Sequence, residues 1–288
     1  MRVNIQWYPG HMARAMRELE KSLAVVDVVL EIRDARIPRS SHNADLAKLV
    51  SGKPVITILA KEDLAERAQT EAWIKALEDQ GLAAVAVDFL SGRGLRGLEA
   101  MIRSVHQSHI EHLRKRGRQD QVLRGVVLGV PNVGKSTLIN RLARRSAART
   151  GAKPGVTRGR QWVRVSRFLQ LLDVPGVLWP KFDDPKMGFN LAVTGAISDD
   201  VFDYVQVGAV LAEYMTKTKP QALVDRYGID LDLEEGEELL DAIGRRRGFL
   251  LAGGRVDLEK AALLLLREFR QGLLGAVTLE DPPDIPNV

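Results

Sequence analysis

The octapeptide GVPNVGKS at 129–136 holds the residues whose types and spacing most plainly do chemistry. It follows an apolar, strand-like run, LRGVVLG, and opens a helical pattern, KSTLINRLARR. A glycine-bounded loop in that place turns backbone amides around phosphate oxygens, and the helix N-terminus adds its dipole. Lys135 then reaches the outer phosphates and Ser136 offers a hydroxyl to magnesium, with Asn132, Val133, Gly134 and Thr137 filling out the nucleotide contacts. Thr157, in KPGVTRG, lies in a Gly- and Arg-rich stretch without periodicity, as expected of a loop that sets a hydroxyl on magnesium when a γ-phosphate is present. Asp173 ends the apolar run LQLLD, where a carboxylate holds the Mg2+ shell, and Gly176 offers its amide to the γ-phosphate. An Asp before Pro-Gly is ordinarily only a turn; at this distance downstream of a phosphate loop it becomes the metal-side carboxylate. Together these residues imply a nucleoside triphosphatase.

The base must be read elsewhere. Most GTPases carry N-K-x-D after the phosphate loop, and no such tetrapeptide follows Asp173. The nearest match lies upstream: Ala60, Lys61 and Asp63 of AKED, at the end of the apolar run PVITILA. Ser91 and Gly92 of SGRG end the next strand-like run, where a loop of small residues can touch the base.

The elements that must position these groups follow from hydrophobic periodicity. VVDVVLEI, the helix-like NADLAKLV, PVITILA, an amphipathic run over 64–80, AAVAVDF and a helix over about 95–105 precede LRGVVLG. Such alternation predicts an α/β fold with a mostly parallel sheet and crossover helices on both faces. After residue 181 the rhythm changes. Ser198, Asp199 and Asp200 read as a helix start, followed by Val201, Val205 and Leu211, with Lys217, Lys219 and Pro220 as its stop. A second helix starts after Asp257, with Leu258, Ala262, Leu265 and Phe269 on one side and Gly272 at its end. The expected organisation is a nucleotide domain over 1–180 and a small helical domain over 181–288 that ends in a loose tail, DPPDIPNV.

Composition narrows the function classes. The 288 residues are 45% apolar and 27% charged and contain no Cys, which excludes thiol chemistry, Cys-based zinc sites and a disulfide-stapled module. No apolar run has the length of a membrane span and no secretory or transit segment opens the chain, so a cytoplasmic protein with no membrane partner is expected. The net charge of +5 is uneven: fourteen basic residues over 103–160 face only Glu111 and Asp120, giving that stretch +12 and the remainder −7. A solvated face accounts for such a run, and so does a surface for nucleic acid or phosphate.

With the phosphate loop downstream of the base loop, the opening QWYPGHMARA, DARIP at 34–38 and PGVTRGRQW at 154–162, the chain resembles the circularly permuted GTPases, specifically the ribosome biogenesis GTPase A (YlqF) family, over nearly its whole length. The resemblance implies a P-loop GTPase domain of permuted motif order, binding of GTP and GDP, and a role in late assembly of the large ribosomal subunit. It further implies contact with the precursor particle and its rRNA, and turnover that is slow alone and stimulated by the particle; a monomer is expected. In the family pattern Asp63 pairs with the guanine edge, Lys61 lies along the base, and an Asn, here Ala60, ties the base loop down. Val177 occupies the position after D-x-x-G where many small GTPases carry Gln, and it can neither donate nor accept. The family points to His11 as the group that orients water; a His packed in an N-terminal turn by Trp7 and Tyr8 is the other reading. Asn132 is similarly read as a K+ ligand or as a residue that suits a loop backbone. Arg245, Arg246 and Arg247 either touch RNA or cap a helix dipole. Two other classes stay open: an RNA-binding module that senses nucleotide with little turnover, and a P-loop phosphotransferase.

Overall fold

The computed structural model describes Glu20 and residues 23–117, 122–150, 162–174, 176, 184–230, 232, 233 and 235–283. They fall into two compact units, one of residues 184–277 and one of the described residues up to 176 together with 278–283.

The larger unit is built on a six-stranded sheet in the order β3-β2-β1-β4-β6-β5. The strands are β1 (Val28–Asp34), β2 (Val55–Ala60), β3 (Ala83–Val87), β4 (Leu123–Gly129), β5 (Trp162–Arg164) and β6 (Leu169–Asp173). All neighbours are parallel except β5 with β6. The helices of this unit are α1 (Ala44–Leu49), α2 (Arg67–Asp79), α3 (Leu95–Lys115) and α4 (Lys135–Thr150). β1 and β4 are buried on both faces, which is why they read as nearly continuous apolar runs. On one face Val29, Val126, Leu128 and Leu172 pack with Leu46 of α1 and with Val50, which caps it. Farther along, Leu59 and Ala84 pack with Trp73 and Leu77 of α2. Alternate residues, among them Leu30, Ile32, Ile58 and Val127, turn the other way and are equally buried.

The periodicity located β1–β4 and β6 to within a few residues. It missed β5, whose three residues are half-buried or exposed and carry no alternation to read. The helix expected over about 95–105 continues to Lys115, because Leu98, Ile102 and Leu113 extend its apolar stripe while His112, Arg114 and Lys115 complement its C-terminal dipole.

In the smaller unit the helices are α5 (Pro185–Val193), α6 (Tyr204–Thr218), α7 (Pro220–Tyr227), α8 (Gly236–Arg246) and α9 (Leu258–Arg270). The start assigned to Ser198 is corrected: residues Asp199–Val201 form a single 3-10 turn, and α6 starts at Tyr204, capped by Asp203, whose carboxylate accepts from the Gln206 amide at 3.0 Å. Pro220 ends α6 and also starts α7, since a Pro at the first helical position gives up no bonded N–H. Asp257 caps α9 as expected, accepting from the Lys260 amide at 3.0 Å. α6 and α9 approach so closely that a Cβ on Gly208 would lie 2.7 Å from the Ala262 Cβ. Beside this contact the buried Glu268 accepts from Arg226 Nη2 at 2.6 Å, Arg226 Nε at 2.9 Å and the Tyr227 hydroxyl at 2.8 Å. The hydrogen bond to Glu268 adds to burial in pushing the Tyr227 hydroxyl pKa up. Among the described residues no helix is long and apolar enough to cross a membrane.

The expected extent of the helical domain, to residue 288, differs at its end. Thr278, Leu279 and Glu280 are buried and group with the sheet unit. Among the described residues the chain therefore leaves the helical unit after Val277 and returns to the sheet unit at Thr278. Of the expected loose tail, residues 284–288 lie outside the described residues.

Gly94, which starts α3, is the tightest glycine of the sheet edge: its φ is +80° and a Cβ there would lie 2.0 Å from the Ala86 carbonyl oxygen. Gly94→Ala is expected to cost about 2 to 4 kcal/mol, combining left-handed backbone strain with overpacking. Urea unfolding checks this, and a loss under about 1 kcal/mol would show that the loop relaxes freely.

Candidate nucleotide site

Parallel pairing places the C-terminal ends of β1, β2, β3, β4 and β6 along one sheet edge, and sequence order reverses between β1 and β4. Ligands of open α/β sheets bind in the crevice at such a reversal. Five loops leave this edge, and between them they carry all the described candidate residues.

The phosphate loop joins β4 to α4. Asn132 is exposed at its bend with φ 56°, a left-handed conformation that Asn adopts more readily than most residues. Val133 is buried and fixes the loop from beneath, whereas Ser136 and Thr137 are exposed at the start of α4. Gly134 has φ 108°, and a Cβ there would come within 2.9 Å of the Phe89 ring, so the loop after β3 packs directly against the phosphate loop. The Lys135 ammonium donates to the carbonyls of Val130 at 2.8 Å and Gly129 at 3.2 Å. Burial lowers its pKa to about 8 against an opposing pull from Asp173.

Across from it, β6 delivers Asp173. The Ser136 hydroxyl donates to the Asp173 carboxylate at 2.9 Å, uniting two residues 37 apart in sequence. A hydroxyl and a carboxylate oxygen, both open to solvent, suit a hard cation that keeps most of its ligands as water and phosphate oxygen. No larger cluster of His, Asp and Glu able to hold a metal occurs among the described residues. Gly176 lies over the same loop. A Cβ on it would fall 2.5 Å from the Pro131 nitrogen and 2.8 Å from Lys135 Nζ, so only glycine fits there.

The loop expected to read the base follows β2. Ala60 is completely buried, Lys61 has the left-handed φ of 59°, and a 3-10 turn, Glu62–Leu64, presents Asp63 to solvent. Partial burial and the neighbouring Asp88 charge push the Asp63 carboxyl pKa up. The loop after β3 is shaped by Asp88, which accepts from the amides of Leu90 at 2.6 Å and Ser91 at 3.1 Å, leaving Gly92 in the left-handed region with φ 85°. Arg93 Nε donates to Glu62 at 2.7 Å and ties the two loops together.

The structure thus brings together Ala60, Lys61, Asp63, Ser91, Gly92, Asn132, Val133, Gly134, Lys135, Ser136, Thr137, Asp173 and Gly176 at one edge. His11, Thr157 and Val177 lie outside the described residues. Sequence reasoning missed Phe89 and Asp88, whose only signal was an Asp closing a strand ahead of Ser-Gly, a turn-initiating pattern. It also assigned no role to Asp34, whose carboxylate lies 3.0 Å from Lys61 Nζ.

The model of the 50S ribosome-binding GTPase family matches residues 124–241. Ribosome biogenesis GTPase A of Priestia megaterium is 42% identical over 283 residues, 98% of each chain. Mitochondrial ribosome-associated GTPase 1 of Mus musculus is 32% identical over 299 residues, covering 96% of this chain and 90% of that protein. The crystal structure of GNP-bound YlqF from T. maritima aligns with a TM-score of 0.64 at 25% identity, covering 94% of this chain and 100% of that one.

A phosphate beside Lys135 restores its charge, so above about pH 8 the free chain must take up a proton to bind GDP. Affinity is expected to be level from about pH 7 to 8 and then to fall by up to about tenfold per pH unit. Calorimetric titration with GDP in two buffers of different ionisation enthalpy measures both the fall and the proton uptake, and a profile level to about pH 9 would contradict the assignment of Lys135.

Proposed function

The chain belongs to the ribosome biogenesis GTPase A family, and from that premise we propose that it is a magnesium-dependent GTP switch acting in late assembly of the large ribosomal subunit. The observation that carries this reading is the meeting, on one sheet edge, of the Ser136–Asp173 pair with the loop of Lys61 and Asp63. The first is the oxygen set for a phosphate-bound cation; the second is the acceptor set for a guanine edge. An ionised Asp63 accepts from two guanine N–H groups, whereas an adenine edge would leave it mispaired, which a dehydrated site rejects strongly.

In this reading Ser136, Asp173 and Thr157 would hold Mg2+, which when bound would neutralise phosphate charge. Lys135 stands beside the same oxygens, and the amides of the phosphate loop and of Gly176 orient them. Water attacks the γ-phosphorus and GDP leaves with its β-oxygen carrying the negative charge. Val177 cannot orient that water, so His11 takes the task as a neutral imidazole, and Asn132 supplies a K+ ligand. With the orienting residue outside the phosphate-sensing loop, turnover is slow until the particle completes the site.

Charge supports an rRNA partner at the sheet unit. Arg114, Lys115 and Arg116 are exposed at the end of α3. Other basic residues of that stretch serve the fold: Arg145 pairs with Glu99 at 2.8 Å and Arg141 donates to the Leu90 carbonyl at 2.5 Å. In the helical unit Arg245 pairs with Asp241 at 2.5 Å, and Arg247 donates to the Arg226 carbonyl at 3.0 Å and lies over the Tyr227 ring. Two of that triple Arg are thus engaged by neighbours within the helical unit.

Phosphate release from GTP, measured alone and with large ribosomal subunits, tests the proposal. Turnover is expected to be slow alone and to rise by at least about tenfold with the particle. His11→Ala is expected to lower the stimulated rate by about 100-fold with GDP affinity retained, and sodium in place of potassium to lower it further. Binding without turnover in the presence of the particle would instead identify a nucleotide-sensing module, and equal use of ATP a phosphotransferase.

A further inference from the structure

Ala60, completely buried, leaves the base loop without the Asn side chain that would tie it down. The loop is nonetheless held. Lys61, strained into a left-handed conformation, reaches Asp34 at the end of β1, with Nζ 3.0 Å from Oδ2. Asp34 is 2% exposed and takes three further donors from Arg36: the backbone amide at 3.1 Å, Nε at 2.9 Å and Nη2 at 2.7 Å. The Ala35 amide completes the junction by donating to the Ala60 carbonyl at 2.8 Å.

This junction is itself fastened by the segment that returns from the helical unit. The Leu279 amide donates to the Arg36 carbonyl at 2.8 Å. The buried Glu280 carboxylate accepts from the amides of Arg39 at 2.7 Å and Ser40 at 3.0 Å and from the Ser40 hydroxyl, and its carbonyl accepts from Trp73 Nε1 at 3.0 Å. Thr278 meets the far end of the base loop, its hydroxyl accepting from the Glu66 amide at 3.0 Å and its amide donating to the Glu66 carboxylate at 3.4 Å. Residues 278–280 therefore grip the chain on both sides of Lys61 and Asp63. Thr278 follows directly on Val277, the last residue of the helical unit.

We propose that Asp34 is the positioning residue that substitutes for the absent Asn, and that residues 278–280 hold it in place, so that guanine selectivity in this chain depends on its C-terminal segment. The proposal rests on the reading of 61–63 as the base loop. A buried carboxylate between two cations is strongly placed while all partners remain, and loss of one partner leaves charge uncompensated. Fastening at Arg36 and Glu66 limits where Asp63 can stand relative to the phosphate loop. Anything that tugs on residue 278 would thereby alter grip on the base and leave grip on the phosphates unchanged.

The test uses the full-length chain with Mg2+ and compares binding of GDP, ADP and inorganic pyrophosphate in the parent, Asp34→Asn and Glu280→Gln. Asp34→Asn is expected to weaken GDP by about tenfold or more and Glu280→Gln by about threefold, with pyrophosphate binding unchanged. For Glu280→Gln the KM for GTP rises with kcat within about twofold, and amides over 61–66 exchange hydrogen faster. If the parent fails to prefer GDP over ADP, the base-loop reading itself falls. If the parent prefers GDP and the variants keep its affinity, the positioning proposal alone is overturned. Equal weakening of GDP and pyrophosphate also overturns it, because the strap would then be a general clamp. Should Asp34→Asn fail to fold, Glu280→Gln decides by the same criteria.

Discussion

Everything at the candidate site depends on the parallel register of five strands. Parallel pairing sends each strand's C-terminal end to the same edge, so residues as far apart in sequence as Asp34, Asp63, Asp88, Lys135 and Asp173 leave the sheet side by side. Hydrogen-bonded neighbours fix where a loop begins; the order in which the chain visits the strands is immaterial to it. A base loop that precedes its phosphate loop therefore builds the same crevice as one that follows it, provided β1 and β4 remain neighbours.

Within that crevice the electrostatics are arranged around a few buried or half-buried charges. Lys135 is held against two carbonyls, and burial lowers its pKa. Asp34 experiences the opposite balance: burial alone would raise its pKa, but Arg36 and Lys61 hold it well below the usual carboxylate range. The contrast follows from partners, since neutral carbonyl dipoles compensate a buried charge less than two full cations do. Lys135 is thus primed to gain from a phosphate anion, whereas Asp34 is already satisfied and serves to fix geometry.

Much of this was legible in the sequence. Strands buried on both faces announce themselves as apolar runs, and the spacing of Gly129, Gly134, Lys135 and Ser136 is dictated by local geometry that a linear pattern records. What escaped reading depends on contacts across the fold. Nothing in DARIP says that Asp34 meets Lys61, because that meeting arises from β1 and β2 pairing in register at Asp34 and Ala60. Phe89 on Gly134 depends equally on β3 and β4 ending at the same sheet edge, within two residues of one level. β5 is too short and too exposed to carry a period, and Ser198 misled because Asp203 offers an equally good cap five residues later. Glu280 sits in a stretch of Asp and Pro that resembles a solvated tail until Ser40 and Trp73 are brought to it.

In the proposed reading two loops far apart in sequence form one guanine site at a single sheet edge, with Asp63 as its base-reading acceptor. Replacing Asp63 by Asn turns one acceptor into a donor that suits the 2-carbonyl of xanthine. Competitive binding of GDP and XDP to Asp63→Asn therefore tests the claim most directly. The account predicts that the preference inverts, with GDP weakened by about 100-fold or more and XDP gained. Retention of the parent's GDP preference would contradict it, because the base would then be read by some other part of the chain.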